Sequence, residues 1–181
     1  MRFTEKMILL KNGKRAVLRC PRAADAAAMT AFLMRVSSET DFLLCYPEER
    51  SIAEDTQIRI LETAWRSSNE LMIACFVEGK LAAVSQITCL PNRKTAHRAV
   101  LSVVVSEEFW GQGIGTALMA EMESRARMKG IKQLELSFAE GNDRAMALYE
   151  KMGFAICAKM PNAYRLSDGR SLCEIFMIKE L

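Results

Sequence analysis

The chain has 181 residues, of which 50% are hydrophobic and 26% are charged, and its 25 basic and 22 acidic side chains give a formal net charge of +3. This length suits one domain that buries its own core, and the composition argues against disorder. A nucleic-acid-binding module needs a concentrated basic face, whereas the lysines and arginines here are spread along the sequence. We therefore expect a single domain over residues 1–181 that has no nucleic-acid partner.

Cysteine usage and the N-terminus bear on the compartment. There is one histidine and none of the six cysteines forms a C-x-x-C pair, so no zinc site is predicted. Four cysteines lie in apolar runs and are expected to be buried free thiols in a reducing compartment: Cys75, Cys89, Cys157 and Cys173. The apolar patch at residues 7–10 is too short for a signal core or a membrane span, so we expect a cytoplasmic protein without a membrane partner.

The first part of the chain predicts one strand and two helices. Residues 17–20 form a short apolar run that ends at Pro21. Asp25 opens an alanine-rich helical pattern that continues to Arg35, and residues 37–50 resemble a loop. Ser51 is the expected cap of a second helix, whose apolar residues recur at helical intervals.

The central part changes to strands. Residues 71–77 and 81–87 are apolar runs separated by a short segment that contains Gly79, which is typical of a hairpin. Residues 99–105 are apolar and β-branched nearly throughout, so we expect a strand covered on both faces.

The last part alternates helices and strands. A helix is predicted at about residues 113–129, a strand at 131–138, and a helix at 142–152 that Gly153 stops. Two closing strands are expected at 154–158 and 174–179, with a loop at 161–171 between them. This order of elements indicates an α/β or α+β domain with a mixed sheet.

A glycine-rich loop follows the strand that ends at Val105. Alternating glycines at the start of a helix allow the backbone to approach a ligand, and the exposed amides there form a phosphate site. The spacing G-x-G-x-G departs from the dinucleotide fingerprint at Thr116, and no Gly-Lys-Ser/Thr of a P-loop occurs. The glycines alone are a weak signal, because an ordinary helix entry also uses them.

A second motif lies downstream, over residues 142–154. It matches N-x-x-A-x-x-x-Y-x-K-x-G-F at Asn142, Ala145, Tyr149, Lys151, Gly153 and Phe154. Together with the preceding valine strand and glycine loop, it resembles the two motifs of the GCN5-related N-acetyltransferase (GNAT) family. The resemblance is sharp over residues 100–158 and looser over 17–90. Trp110 is a departure, because the family has Arg or Gln at that position.

The resemblance implies a single mixed sheet of about six to seven strands flanked by about four helices. It also implies an N-acetyltransferase that moves an acetyl group from acetyl-CoA to a primary amine, without a metal. The pantetheine arm is expected to pair with the last strand residues, where a bulge would free an amide for the thioester oxygen. The implied cofactor-binding residues are Val103, Val104, Val105, Gly111, Gln112, Gly113, Ile114, Gly115, Thr116 and Asn142.

The resemblance also assigns catalytic candidates. Tyr149 corresponds to the family's proton donor to the coenzyme thiolate, although its apolar stripe also suits a core tyrosine. Asn142 is expected both to cap its helix and to lie beside the cofactor arm. Among candidates for the general base, Glu39 is preferred over Asp41 and His97, and all three also suit ordinary surface positions.

Two matters stay open from the sequence. A non-catalytic acyl-CoA sensor on the same fold is the alternative to an enzyme. Small amines, amino acids, antibiotics and protein N-termini all remain candidate acceptors, and the early helices and the segment 161–171 are expected to shape their pocket. Family members often dimerise, which leaves room for a homodimer that no sequence feature decides.

Overall fold

A computed structural model describes residues 3–181, whose strands form one mixed sheet in the order β1-β2-β3-β4-β5-β6-β8-β7. Neighbouring strands are antiparallel except β5 and β6, which run parallel. The eight strands are β1 Lys6–Leu9, β2 Arg15–Arg19, β3 Glu70–Val77, β4 Lys80–Cys89, β5 Arg98–Val105, β6 Gln133–Ala139, β7 Ala155–Arg165 and β8 Ser171–Glu180. The predicted mixed sheet is confirmed, with one strand more than expected.

Four α-helices cover the sheet: α1 Ala26–Ser38, α2 Glu54–Arg66, α3 Ile114–Met128 and α4 Asp143–Lys151. The buried side chains form two clusters. One contains Phe32 of α1 and Leu61 of α2, and the other contains Leu118 of α3 and Tyr149 of α4. The sheet therefore lies between two helical layers, each with its own apolar core.

Both edges of the sheet differ from the sequence-based expectation. The apolar patch near the N-terminus forms edge strand β1, in which Met7 is 65% and Leu9 is 73% exposed, so backbone pairing rather than burial holds it. The predicted loop at 161–171 is too long, because β7 continues to Arg165 and β8 begins at Ser171, which leaves only a turn at 166–170. Pro161 is accommodated because β7 is outermost and its register shifts between Met160 and Tyr164.

Smaller corrections concern single residues. Ser51 does not cap α2, since the helix begins at Glu54 with Ala53 at its N-cap. Cys157 lies exposed on β7 and Cys173 is half-buried, whereas Cys75 and Cys89 are buried as predicted. All six thiols are free. None of the helices in residues 3–181 is long and apolar enough to cross a membrane.

The sheet opens between β5 and β6. Strand β5 pairs with β4 from Ala99 to Val105, but it pairs with β6 only from Arg98 to Val100. Beyond Val100 the two parallel strands diverge. The expectation that β5 is covered on both faces is wrong, because the side chains of Val100 and Ser102 are exposed. The gap places the end of β5 at the wall of a cleft.

Candidate functional site

The backbone of β5 presents alternate residues to the gap. Leu90 N–H donates to Arg98 O at 3.1 Å and Ser106 N–H donates to Ala82 O at 3.0 Å, so even-numbered residues of β5 bond to β4. In an antiparallel pair the intervening residues face the other way. The amides and carbonyls of Val103 and Val105 therefore face the gap, whereas those of Val104 face β4.

The predicted bulge in this strand is wrong. The pairing of β4 with β5 continues without a register shift through Val103, Val104 and Val105. Divergence from β6, rather than an extra residue, leaves the amides of the gap-facing residues unpaired by the sheet. A donor facing a ligand is thus available without the bulge that the resemblance implied.

The glycine loop ends in a row of open amides. Gly111 and Gly113 adopt φ values of 74° and 91°, in the left-handed region that favours glycine. The first backbone bond of α3 is from Ala117 N–H to Gly113 O, at 3.0 Å, so the amides of Ile114, Gly115 and Thr116 lack helical acceptors. The first turn of α3 carries no acidic residue, which leaves the positive end of the helix dipole open to an anion.

Gly115 brings α3 close to α4. A Cβ atom at Gly115 would lie 2.9 Å from Leu148 Cδ2 and 3.8 Å from Val105 Cγ2. The third glycine of the loop is therefore explained by packing rather than by unusual backbone geometry.

The Trp110 side chain occupies one of the backbone groups of β5 that face the gap. Its indole Nε1–H donates to Val105 O at 2.7 Å, and the guanidinium of Arg144 lies 4.4 Å from its ring centroid. The Gln112 side chain is also engaged, since its Oε1 accepts from Asn12 at 2.9 Å and its Nε2 donates to Glu108 O at 3.2 Å. The indole of Trp110 therefore retains no free donor, and Gln112, which keeps one N–H, does not line the cleft.

These elements enclose a cleft of about 620 Å³. Of the predicted cofactor-binding residues, only Gln112 does not line it. The lining comes from the β1–β2 turn, α1 and the segment after it, β5, the glycine loop and α4: Lys11, Val36, Glu39, Thr40, Phe42, Leu43, Val103, Val104, Val105, Phe109, Trp110, Gly111, Gly113, Ile114, Gly115, Thr116, Gly141, Asn142, Asp143, Arg144, Ala145, Ala147, Leu148, Tyr149 and Lys151.

Tyr149 lies on the cleft wall and is largely buried, with 6% of its surface exposed. Its ring contacts Phe138 and Phe154 at centroid distances of 5.4 and 6.2 Å. Burial disfavours the phenolate and raises the pKa of Tyr149 to about 12. The hydroxyl therefore stays protonated across the neutral range and is chemically suited to donate a proton.

Asn142 combines a cap with a place on the cleft. Its Oδ1 accepts from Ala145 N–H at 3.1 Å, which satisfies one open amide of α4. The same residue lines the cleft between β6 and α4. The capping bond fixes the side chain, so its amide nitrogen has a defined orientation.

Glu39 lies directly after α1 and joins it to the end of β5. Its Oε1 accepts from Ser106 Oγ at 3.0 Å, its Oε2 accepts from Glu107 N–H at 2.8 Å, and Arg35 Nε lies 3.6 Å from Oε1. The carboxylate lines the cleft with 15% of its side chain exposed. It is therefore the candidate base that the fold brings to the same cleft as Tyr149.

The other two candidate bases lie elsewhere. Asp41 does not line the cleft, and its carboxylate pairs with Arg170 at 3.3 Å. His97 is exposed at the start of β5, where its carbonyl accepts from Lys132 N–H at 2.8 Å. Strand β5 separates His97 from Val105 by about 26 Å.

The structure also adds lining residues that sequence reasoning missed. Lys11 comes from the β1–β2 turn, and Phe42 reaches within 3.4 Å of the Cβ position of Gly141. Arg144 follows Asn142 within the second motif, at a variable position that carried no signal. Among residues 3–181 no group of three or more His, Cys, Asp or Glu side chains could hold a metal ion.

Comparison with known proteins assigns this arrangement to a class. The acetyltransferase (GNAT) family profile matches residues 37–154. A GNAT-family acetyltransferase from Streptococcus pneumoniae superposes with a TM-score of 0.86 at 28% identity, over 92% of this chain and 99% of that one. The chain belongs to the GNAT family, and the resemblance stated from its motifs is confirmed.

Two further relatives carry more specific names. The ribosomal-protein-alanine N-acetyltransferase from Brucella melitensis superposes with a TM-score of 0.79 at 25% identity, over 91% of this chain and 99% of that one. The [ribosomal protein bS18]-alanine N-acetyltransferase of Escherichia coli (strain K12) is 29% identical over 92 residues, or 51% of this chain. The match spans 60% of that curated relative's length.

Proposed function

We propose that this protein transfers an acetyl group from acetyl-CoA to a primary amine by direct attack on the thioester. The observation that carries the proposal is the gap between β5 and β6, which opens beside the amides of the glycine loop and faces Tyr149. One cleft thus offers an anion site, an unpaired strand edge and a proton donor. Acetyl-CoA supplies a negatively charged pyrophosphate, a strand-like amide arm and an activated acetyl group.

The donor is held by the backbone. The amides of Ile114, Gly115 and Thr116 bind the pyrophosphate, because they lack helical acceptors and lie at the positive end of α3. The gap-facing amide and carbonyl of Val103 and the amide of Val105 pair with the pantetheine arm, as one more strand would, whereas Val105 O is already bonded to Trp110. An amide of this edge also donates to the thioester oxygen, and such a donor is worth about 3 kcal/mol at the transition state.

Tyr149 supplies the proton for the departing sulfur. The amine nitrogen bonds to the acetyl carbon, the carbon–sulfur bond breaks, and the sulfur takes the phenolic proton. The amine loses its extra proton to a base, and solvent returns a proton to Tyr149. Burial keeps the pKa of Tyr149 at about 12, so the donor form is fully populated at neutral pH.

Glu39 is the base that we propose for the amine. Its carboxylate lines the cleft, and a carboxylate has about four lone-pair positions, of which Ser106 and Glu107 occupy two. These two bonds hold the group in one orientation. The proton transfers directly or through one water molecule.

The acceptor enters beside the wall of the cleft that includes Glu39 and Phe42. The names of two curated relatives suggest which acceptor classes to test first. One is named for the alanine of a ribosomal protein, and the other is an L-methionine sulfoximine/L-methionine sulfone acetyltransferase of Pseudomonas aeruginosa, 32% identical over 60 residues. A peptide α-amine and a free amino acid are therefore the acceptor classes to test first.

The test is thiol release from acetyl-CoA with a panel of amines, measured beside CoA binding by calorimetry. We expect CoA binding together with amine-dependent thiol release for at least one acceptor. CoA binding without turnover for any amine class would favour the non-catalytic sensor. Failure to bind CoA would overturn both readings.

Assembly and location are further parts of the proposal. β7 is the outermost strand, and its apolar residues Ile156 and Met160 are 53% and 50% exposed, which supports a homodimer through this edge. Sedimentation analysis of the wild type and of I156K checks this, and a monomeric wild type would contradict it. We propose a cytoplasmic location, which the free thiols support.

A further inference from the structure

The turn between β1 and β2 lies against the glycine loop. Lys11 N–H donates to Gln112 O at 3.2 Å, and Asn12 Nδ2 donates to Gln112 Oε1 at 2.9 Å, across 100 positions of sequence. The turn is closed by Leu10 N–H, which donates to Lys14 O at 2.8 Å. The N-terminal hairpin thus joins the loop that we propose for the pyrophosphate, although neither sequence motif includes it.

The side chain of Lys11 also approaches the glycine loop. Its Cγ lies 3.9 Å from the position of a Cβ on Gly113, and the residue lines the cleft. Within residues 3–181 no carboxylate forms an ion pair with Lys11. Lys14, in the same turn, pairs instead with Glu78 at 2.8 Å and does not line the cleft.

The loop lacks the side-chain donor that the family carries at position 110. Trp110 uses its only hydrogen-bond donor on Val105 O, and Arg144 lies over its ring. The loop amides are neutral, whereas a pyrophosphate carries negative charge that an ammonium group binds more strongly than a neutral donor does. Lys11 is the cation that borders Gly113 from outside the loop.

We propose that Lys11 binds the pyrophosphate of the acetyl donor and so replaces the side-chain donor missing at position 110. This inference rests on the proposed function. It makes the N-terminal hairpin part of the donor site and predicts a contact to the pyrophosphate rather than to the 3′-phosphate of CoA. The contact acts on donor binding and leaves the chemical step unchanged.

Calorimetry with K11M and the matched control K14M tests the inference, with CoA and 3′-dephospho-CoA as ligands. K11M should bind both ligands about tenfold more weakly than the wild type, because it loses a charge-assisted hydrogen bond. K14M should stay within about twofold of the wild type, since an exposed charge away from the ligand is screened. K11R should recover most of the affinity, and kcat of K11M at saturating acetyl-CoA should match the wild type.

Each other outcome decides against the contact. Unchanged affinity in K11M overturns it, and so does an equal loss in K14M, which would indicate a long-range field alone. A loss confined to CoA would assign Lys11 to the 3′-phosphate and overturn the pyrophosphate contact. A wild type that binds neither ligand would overturn the proposed function itself. If the wild type binds both ligands, an unchanged K11M overturns only the Lys11 contact and leaves the proposed function intact.

Discussion

Apart from Lys11, the donor end that we propose for the cleft comes from residues 98–154, which follow one another in the chain, whereas the proposed acceptor end joins segments that are distant in sequence. At the donor end, backbone amides, left-handed glycines and an asparagine cap form the surface. Around the proposed acceptor end, side chains connect these segments, mostly through residues that lie outside the cleft lining. Glu39 bonds to Ser106, Tyr46 Oη accepts from Ser167 N–H at 2.9 Å, and Asp41 pairs with Arg170.

This difference predicts that the proposed donor end is less sensitive to side-chain substitution than the proposed acceptor end. Backbone groups persist through substitution, so we expect the amides of the proposed donor site to bind the pyrophosphate despite Trp110, with the charge contributed by Lys11. Exposed ion pairs and hydrogen bonds contribute at most about 1 kcal/mol each, so the acceptor wall can be rebuilt at small cost in stability. We expect substitutions at the acceptor end to alter acceptor KM and substitutions in the donor backbone to alter CoA binding.

The largest effect is expected at Tyr149, where the two ends meet. Y149F removes the proton donor and should lower kcat about 100-fold, with unchanged CoA affinity. Burial raises the pKa of Tyr149 to about 12, so its protonated form persists as pH rises and is lost only above that value. The wild type should therefore show no Tyr149-dependent fall in kcat below about pH 10.

Steady-state kinetics beside calorimetry checks this prediction. Y164F is the matched control, because Tyr164 is partly buried on β7 and does not line the cleft. Unchanged kcat in Y149F would assign Tyr149 to the core alone. Parallel losses of kcat and CoA affinity would indicate damage to packing rather than loss of a proton donor.

A smaller effect is expected at Glu39. E39Q removes the proposed base and should lower kcat about tenfold near pH 7, with partial recovery as pH rises and the free amine becomes abundant. A pH–rate profile of E39Q measures this. E48Q is the control, since Glu48 is an exposed carboxylate outside the cleft. A lower Tm with wild-type kcat would show that Glu39 only joins α1 to β5.

The smallest effect is expected at the contact between the α1–α2 connection and the β7–β8 turn. Y46F removes the acceptor of the Ser167 amide and should raise acceptor KM about threefold, because an exposed hydrogen bond is worth about 0.5–1 kcal/mol. The KM for acetyl-CoA should not change. A shift in both constants would show that the two ends are coupled, contrary to the separation described above.

The donor end could be predicted because its chemistry is local. The left-handed Gly111 and Gly113, the start of α3 and the cap at Asn142 each follow from a few adjacent residues. The buried stripe of α3 could also be read from its helical spacing. Local turn and cap rules therefore predicted the two helices and the glycine loop of this region, whereas its assignment to acetyl-CoA came from the resemblance to the GNAT family.

The remaining features depend on contacts that spacing does not encode. β1 is exposed and has no apolar alternation to mark it, and Pro161 suggested a loop where an edge strand tolerates proline. The approach of Lys11 to Gly113 requires the hairpin to fold over the start of α3. The divergence of β5 from β6 is likewise a tertiary property that no sequence pattern marked, and the bulge implied by the family resemblance is absent.

Amide hydrogen exchange in β5, measured by NMR with and without CoA, tests the central claim most directly. Val104 bonds to β4, so its amide should be protected in both states, whereas the gap-facing amides of Val103 and Val105 should exchange fast and become protected only with CoA. Unchanged exchange at Val103 and Val105 in the presence of bound CoA would contradict the assignment of the β5–β6 gap as the donor site.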